Sequence, residues 1–285
     1  MKKRMLKTSL ASILTLLLLT GFVLPKADPP PANAAQDEAC SMDNHTFQVG
    51  EEIVYKLFYN WNFVWIAAGE AVFKVEEGEN NQYHLSATGH TYKSYDWAFR
   101  IRDSHDAYVN KDNLLPNMSI RQVEEGGYRM YDKMTFHQSA RKLTSFRGKT
   151  EAEARANDFD LDGCMHDMLS IIYYARNINF QNYEPGQTFP VQIFLDREVY
   201  PLSVKYKGKE ESIKVKGQGR FKAIKFSPEL IAGDIFDEDT QMNVYVSDDQ
   251  NRIPLLIESP ISVGSVKAVL KEYRGLKYDL TAKVD

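Results

Sequence analysis

"EIVYKLFYNWNFVWIAAGEAVFKVEEGENNQYHLSATGHT" (residues 52–91) decides the fold. Its apolar side chains recur at every second position. Ile53, Tyr55, Leu57 and Tyr59 share one parity. Ala67, Gly69, Ala71, Phe73 and Val75 do the same, then Tyr83, Leu85 and Ala87, with His84, Ser86, Thr88 and His90 opposite them. Successive side chains of a strand point to opposite sides, so this period marks strands with one buried face. The alternation continues through "FRIRDSHDAYV" (99–109), "NMSIRQVEE" (117–125), "YRMYDKMTFHQ" (128–138) and "RKLTSFRG" (141–148), and through seven further runs from Gln187 to Tyr273. "EEGG" (124–127), "GQGR" (217–220) and "SDDQN" (247–251) read as turns between them.

One segment breaks the rhythm. "CMHDMLSIIYYARNI" (164–178) places Met165, Met168, Leu169, Ile172 and Tyr173 at helical spacing, which predicts a helix over 164–177 with Asp162 as its N-cap. A shorter helical turn is expected in "TYKSYDWAF" (91–99). The fold class that follows is all-β and mostly antiparallel. It is a curled sheet, half-barrel or open barrel of about fourteen strands with one mid-chain helix.

The N-terminus carries a basic stretch, "MKKRMLK", then an apolar run from Thr8 to Leu24 and an A-x-A site at Ala32–Ala34. That is the order of a secretory signal peptide. The division expected is a signal peptide at 1–34, a polar extension at 35–46 and a single β domain at 47–285. Export implies a protein that is not integral to the membrane once the signal is cleaved. Lys and Arg number 35 against 39 Asp and Glu, a balance unlike that of a nucleic-acid binder. The two cysteines, Cys40 and Cys164, would reach an oxidising compartment, where a disulfide between them is expected.

"NDFDLDG" (157–163) opens like a calcium loop, but Leu169 stands where the bidentate acid belongs. Cys164 with His166 does not make a nucleophile pair, because helix neighbours two apart face different ways. The six histidines form no H-E-x-x-H or other tight ligand pair, and no G-x-S-x-G is present. No catalytic residue, metal site or cofactor is therefore assigned. Two features bear on binding. Asp103 shares strand parity with Ile101, Ala107 and Val109, so an inward carboxylate would need a partner, and Arg176 at the helix end is one candidate. Tyr59, Trp61, Phe63 and Trp65 have one parity and could line an inner face or pocket.

"FQVGEEIVYKLFYNWNFVWIAAGEAVFKV" (47–75) resembles the opening of the domain-of-unknown-function 3108 family. That family's hallmark, F-x-x-G-E-x-L-x-Y, precedes A-G-E-A; here Ile53 takes the leucine position. "FRIRDSHDAYVN", "HDMLSIIYYARN" and "VYVSDDQNRIPLLIESPISVGSVKAVLKEY" extend the resemblance over about Phe47 to Tyr273. It implies a Gram-negative envelope setting, an antiparallel β architecture and no established activity. The function expected is non-catalytic binding of a lipid or other hydrophobic envelope component in the periplasm. The alternatives are docking of an envelope protein partner along a sheet edge and, last, a hydrolase.

Overall fold

The computed structural model describes residues 41–61, 64–97, 99–228, 241–260 and 264–284, with only the backbone at Trp61. The expected signal peptide, Cys40 and Phe63 lie outside the described residues.

Fourteen strands form one antiparallel sheet. They are β1 (Glu52–Trp61), β2 (Val64–Glu77), β3 (Gln82–Thr91), β4 (Arg102–Asn110), β5 (Pro116–Glu125), β6 (Tyr128–His137), β7 (Lys142–Gly148), β8 (Arg155–Asp160), β9 (Thr188–Leu195), β10 (Glu198–Val215), β11 (Gly219–Pro228), β12 (Asn243–Ser247), β13 (Pro254–Pro260) and β14 (Ser265–Arg274). The helix α1 (Ser170–Arg176) lies between β8 and β9. The sheet order is β8 back to β1, then β14 back to β9. Two meanders are thus joined where β1 pairs with β14, leaving β8 and β9 as the edges.

The cross-strand register sorts the faces, because directly opposed residues share a side. Tyr273, Ile53, Phe73, Ala87, His105 and Arg121 form one lateral row, which continues through Asp132 and Arg147. This is the inner face. The crossover from β8 to β9 packs against it in sequence. Leu161 and Met165 join Met134, Phe136 and Leu143; Leu169 and Tyr173 join Val75, Leu85 and Ala107. Farther along, Phe180 sits among Phe189, Tyr206 and Phe226. The C-terminal segment returns beside β11, with Lys222 N–H donating to Ala282 O at 2.8 Å.

Three expectations need correction. The acidic stretch is strand β8: Asp158 accepts from Thr144 Oγ1 at 2.7 Å and Asp160 pairs with Lys142 at 3.2 Å, each across the ladder to β7. The helix is shorter than 164–177, because His166 exchanges two backbone hydrogen bonds with β9 (its N–H to Gln192 O, and Phe194 N–H to its O). The early amide donors are satisfied by Asp167, not Asp162: Asp167 Oδ1 accepts from Leu169 N at 2.8 Å and Ser170 N at 3.2 Å. Finally, "EVYPLSVKYKG" and "ESIKVKG" are one strand, β10, bent by register shifts near Gly208 and Glu210. The short helical turn falls at Lys93–Tyr95, as expected.

Candidate functional site

The inner face has an apolar half and a charged half. The apolar half holds a cavity of about 80 Å³ between α1 and the β1–β2 and β13–β14 hairpins. Ile53, Tyr55 and Leu57 supply its β1 wall, Phe73 its β2 wall, and Ile172 and Tyr173 its helical wall. These are the inward positions of the period-two pattern, so the motif that makes the strands also makes the chamber. Burial pushes the Tyr173 hydroxyl far above its usual titration range, so it remains a neutral wall at any physiological pH.

At the C-terminal end of α1 the chamber is closed by Arg176. Its Nη1 and Nη2 donate to Glu51 Oε1 and Oε2 at 2.6 and 2.8 Å, a two-pronged pair with both side chains buried. Arg176 Nη2 also donates to Asn251 O at 2.9 Å, and its guanidinium packs near the Phe47 and Tyr173 rings. Burial alone would lower the Arg176 pKa; the adjoining Glu51 carboxylate more than offsets this and raises it. Asn251 in turn donates to Tyr278 O at 3.0 Å. One guanidinium thereby ties together the entry to β1, the helix, the β12–β13 loop and, through Asn251, the C-terminal segment.

Arg176 was one candidate partner for Asp103; in the structure the carboxylate partner of Arg176 is Glu51. Asp103 is half-buried and accepts from Glu124 N–H at 3.0 Å. Strand parity assigns a side chain to a face but not to a position along the barrel.

The charged half lies across β4 to β7. His105 Nε2 is 3.1 Å from Asp167 Oδ1, close but off the line of a hydrogen bond. Burial pushes Asp167 up, but the His105 contact and the donors from Ser170 and Leu169 outweigh it and hold it below the usual range. His166 Nδ1 lies 3.3 Å from Ser170 Oγ, and burial lowers its pKa to about 4. A serine, two histidines and an aspartate thus meet without forming a proton relay: the histidine touching Ser170 is not the one held by Asp167. Farther along the row, Asp132 accepts from Ser145 Oγ at 2.8 Å, and burial raises its pKa. Arg147 Nη1 reaches Asp196 Oδ1 at 2.7 Å.

Of the aromatic row expected from parity, the two described side chains, Tyr59 and Trp65, do not share a face. Tyr59 is buried on β1, but the β1–β2 reversal places Trp65 opposite Asn60 and Ile66 opposite Tyr59, so Trp65 points to the other side. Trp65 is 39% exposed, with Lys267 Nζ 4.4 Å from its ring centre. Phe63 and the Trp61 side chain lie outside the described residues. Cys164 is not a free thiol, while Cys40 lies outside the described residues. Among the described residues, no group of three metal-ligating side chains converges and no helix is long and apolar enough to cross a membrane. Glu51, Arg121 and Asp196 were not singled out from sequence, which marks Asp167 only as an acid near the positive end of the helix dipole and beside Cys164 and His166. Arg121 could have been singled out, since it shares parity with buried Ser119 and Val123 just as Asp103 shares it with Ala107.

Residues 54–271 match the family described as a protein of unknown function, DUF3108, and the chain belongs to that family. No curated protein matches it. Among solved structures, a β-barrel-like protein of the domain of unknown function DUF1849 from Brucella abortus is similar at a TM-score of 0.55 and 10% identity, over 82% of this chain and 100% of that one. That likeness establishes the barrel-like fold. An exported protein with a YmcC-like fold from Bacteroides fragilis aligns at 11% identity with a TM-score of 0.31, over 82% of this chain and 100% of that one. A lipoprotein from Parabacteroides distasonis aligns at 13% identity with a TM-score of 0.29, over 82% of this chain and 99% of that one.

Proposed function

We propose that this chain is an exported periplasmic protein that binds a hydrophobic or amphipathic component of the cell envelope without catalysis. The observation that carries this reading is the apolar chamber beneath α1, walled by inward strand positions and closed by the Arg176–Glu51 pair. At about 80 Å³ the chamber is smaller than the roughly 300–1,000 Å³ of small-molecule sites. Binding of an acyl chain therefore requires α1 to move and the Arg176–Glu51 pair at its end to give way. Partner docking along an edge strand is less favoured. The exposed edge β8 reads "RANDFD", and such charges discourage strand addition. The signal-peptide pattern at the N-terminus supports export.

The test is native mass spectrometry of the mature protein from the periplasm, followed by solvent extraction. A reproducible adduct that extracts as a lipid is the expected result. A clean apo mass, together with no displacement of a fluorescent fatty acid by lipids of any chain length, would refute the proposal.

A further inference from the structure

The charged half of the inner face contains an arginine whose needs are poorly met. Arg121 is buried, 4% exposed, yet its Nε has no hydrogen-bond partner. Its Nη1 and Nη2 face the sulfurs of Met168 and Met130 at 3.7 and 3.8 Å, and thioethers are weak acceptors. Its one carboxylate contact is Asp196 Oδ1 at 3.4 Å, longer than the 2.7–2.9 Å of a charge-assisted bond. Asp132, directly across the ladder, is engaged with Ser145 and lies 3.8 Å from Arg147. A guanidinium offers five donors, and burying them under-used is unfavourable unless something else takes them.

Asp196 arrives there by an unusual route. It and Arg197 form the two-residue turn of the β9–β10 hairpin, with φ of 49° and 69°. Such turns favour Asn-Gly because both central residues are left-handed. An arginine at the second position is strained, and strain of this kind gathers at binding sites and switches. The turn delivers one carboxylate to two arginines, Arg121 and Arg147.

We infer that Arg121 and Arg147 form an oxyanion site, occupied in the resting chain by the Asp196 carboxylate, which receives the carboxylate or phosphate head of an amphipathic ligand when the turn withdraws. This rests on the proposed carrier function and names the chemistry of the ligand's polar end. The geometry links the two halves of the interior. Met168, at Arg121, stands just before α1, and Ile172, four residues on, lines the apolar chamber from within it.

The experiment measures binding of palmitate and of the uncharged hexadecanol to the mature wild-type protein and to Asp196→Asn and Arg121→Met variants. Asparagine tolerates the left-handed turn, and circular dichroism checks folding of each variant. Palmitate should bind Asp196→Asn about tenfold more tightly than wild type, a change of about 1.4 kcal/mol. Hexadecanol affinity should not change, and Arg121→Met should lose the preference for palmitate. If both ligands bind all three proteins with the same preference, the oxyanion site is overturned and the carrier proposal stands. If neither binds, the carrier proposal fails, and inorganic phosphate decides the site alone. A saturable rise in melting temperature of Asp196→Asn with phosphate, absent in Arg121→Met, would support a site for a free anion; no such rise would overturn it.

Discussion

Replacing Arg176 by methionine tests whether the interior is held by a single ionic staple. The Glu51 side chain is 0% and that of Arg176 4% exposed, so removing either leaves the other charge in a medium that cannot solvate it. Breaking a buried pair from one side typically destabilises by about 3–5 kcal/mol. At about 2–4 °C per kcal/mol for a chain of this size, Arg176→Met should lower the melting temperature by roughly 6–20 °C. Glu51→Gln should be milder, because Arg176 keeps its bond to Asn251 O. The double variant, Arg176→Met with Glu51→Gln, removes both charges and should be more stable than the sum of the single losses predicts. Thermal unfolding followed by circular dichroism, combined as a double-mutant cycle, reads the coupling. Additive losses, or a fall of less than about 3 °C for Arg176→Met, would refute the staple, since about 1 kcal/mol is what a surface pair contributes.

Acid should destabilise the protein through His166. Burial holds its folded pKa at about 4 against an ordinary 6.5, so the unfolded chain binds the proton first and stability falls as pH drops from about 6.5 to about 4. That gap corresponds to roughly 3 kcal/mol, and the slope should vanish in His166→Gln; urea midpoints that do not change across this window would contradict it. Gly69→Ala should destabilise by about 2 kcal/mol or more in thermal melts, because its Cβ would lie 2.1 Å from His90 O, whereas Gly127→Ala, with open space around it, should stay within about 0.5 kcal/mol. Reducing agent should lower the melting temperature if Cys40 and Cys164 are bridged, with up to about 4–5 kcal/mol at stake for so long a loop; an unchanged midpoint and two titratable thiols would rule the bridge out.

Strand existence and parity were readable because each ladder buries one face, and Ile53, Phe73, Leu85 and Ala107 fall where period two places them. β8 was not readable: "RANDFD" has almost no apolar face, and its acids are paired across to β7 instead of being gathered around an ion. The Arg176 partner was not readable either. Parity pointed to Asp103 as the inward carboxylate in need of a partner, whereas the carboxylate that Arg176 meets, Glu51, lies 125 residues away in sequence.

The crossover explains both the cavity and the buried charges. Eight strands close around a lumen that their own side chains fill, and sixteen or more leave a channel. Fourteen curled strands lie between these cases, so the inner face needs filling from elsewhere. Residues 161–187 and the β9–β10 turn supply that filling. Such a segment meets a different wall at each turn: methionines and phenylalanines at β6–β7, histidine and arginine at β4–β5, the apolar chamber at β1–β2. No single periodicity can encode three walls, which is why the helical spacing of 164–178 overstated α1. Between the second and third walls, polar filling gives way to apolar filling. An amphipathic molecule would match that boundary, with its head toward Arg121 and its tail toward Tyr173.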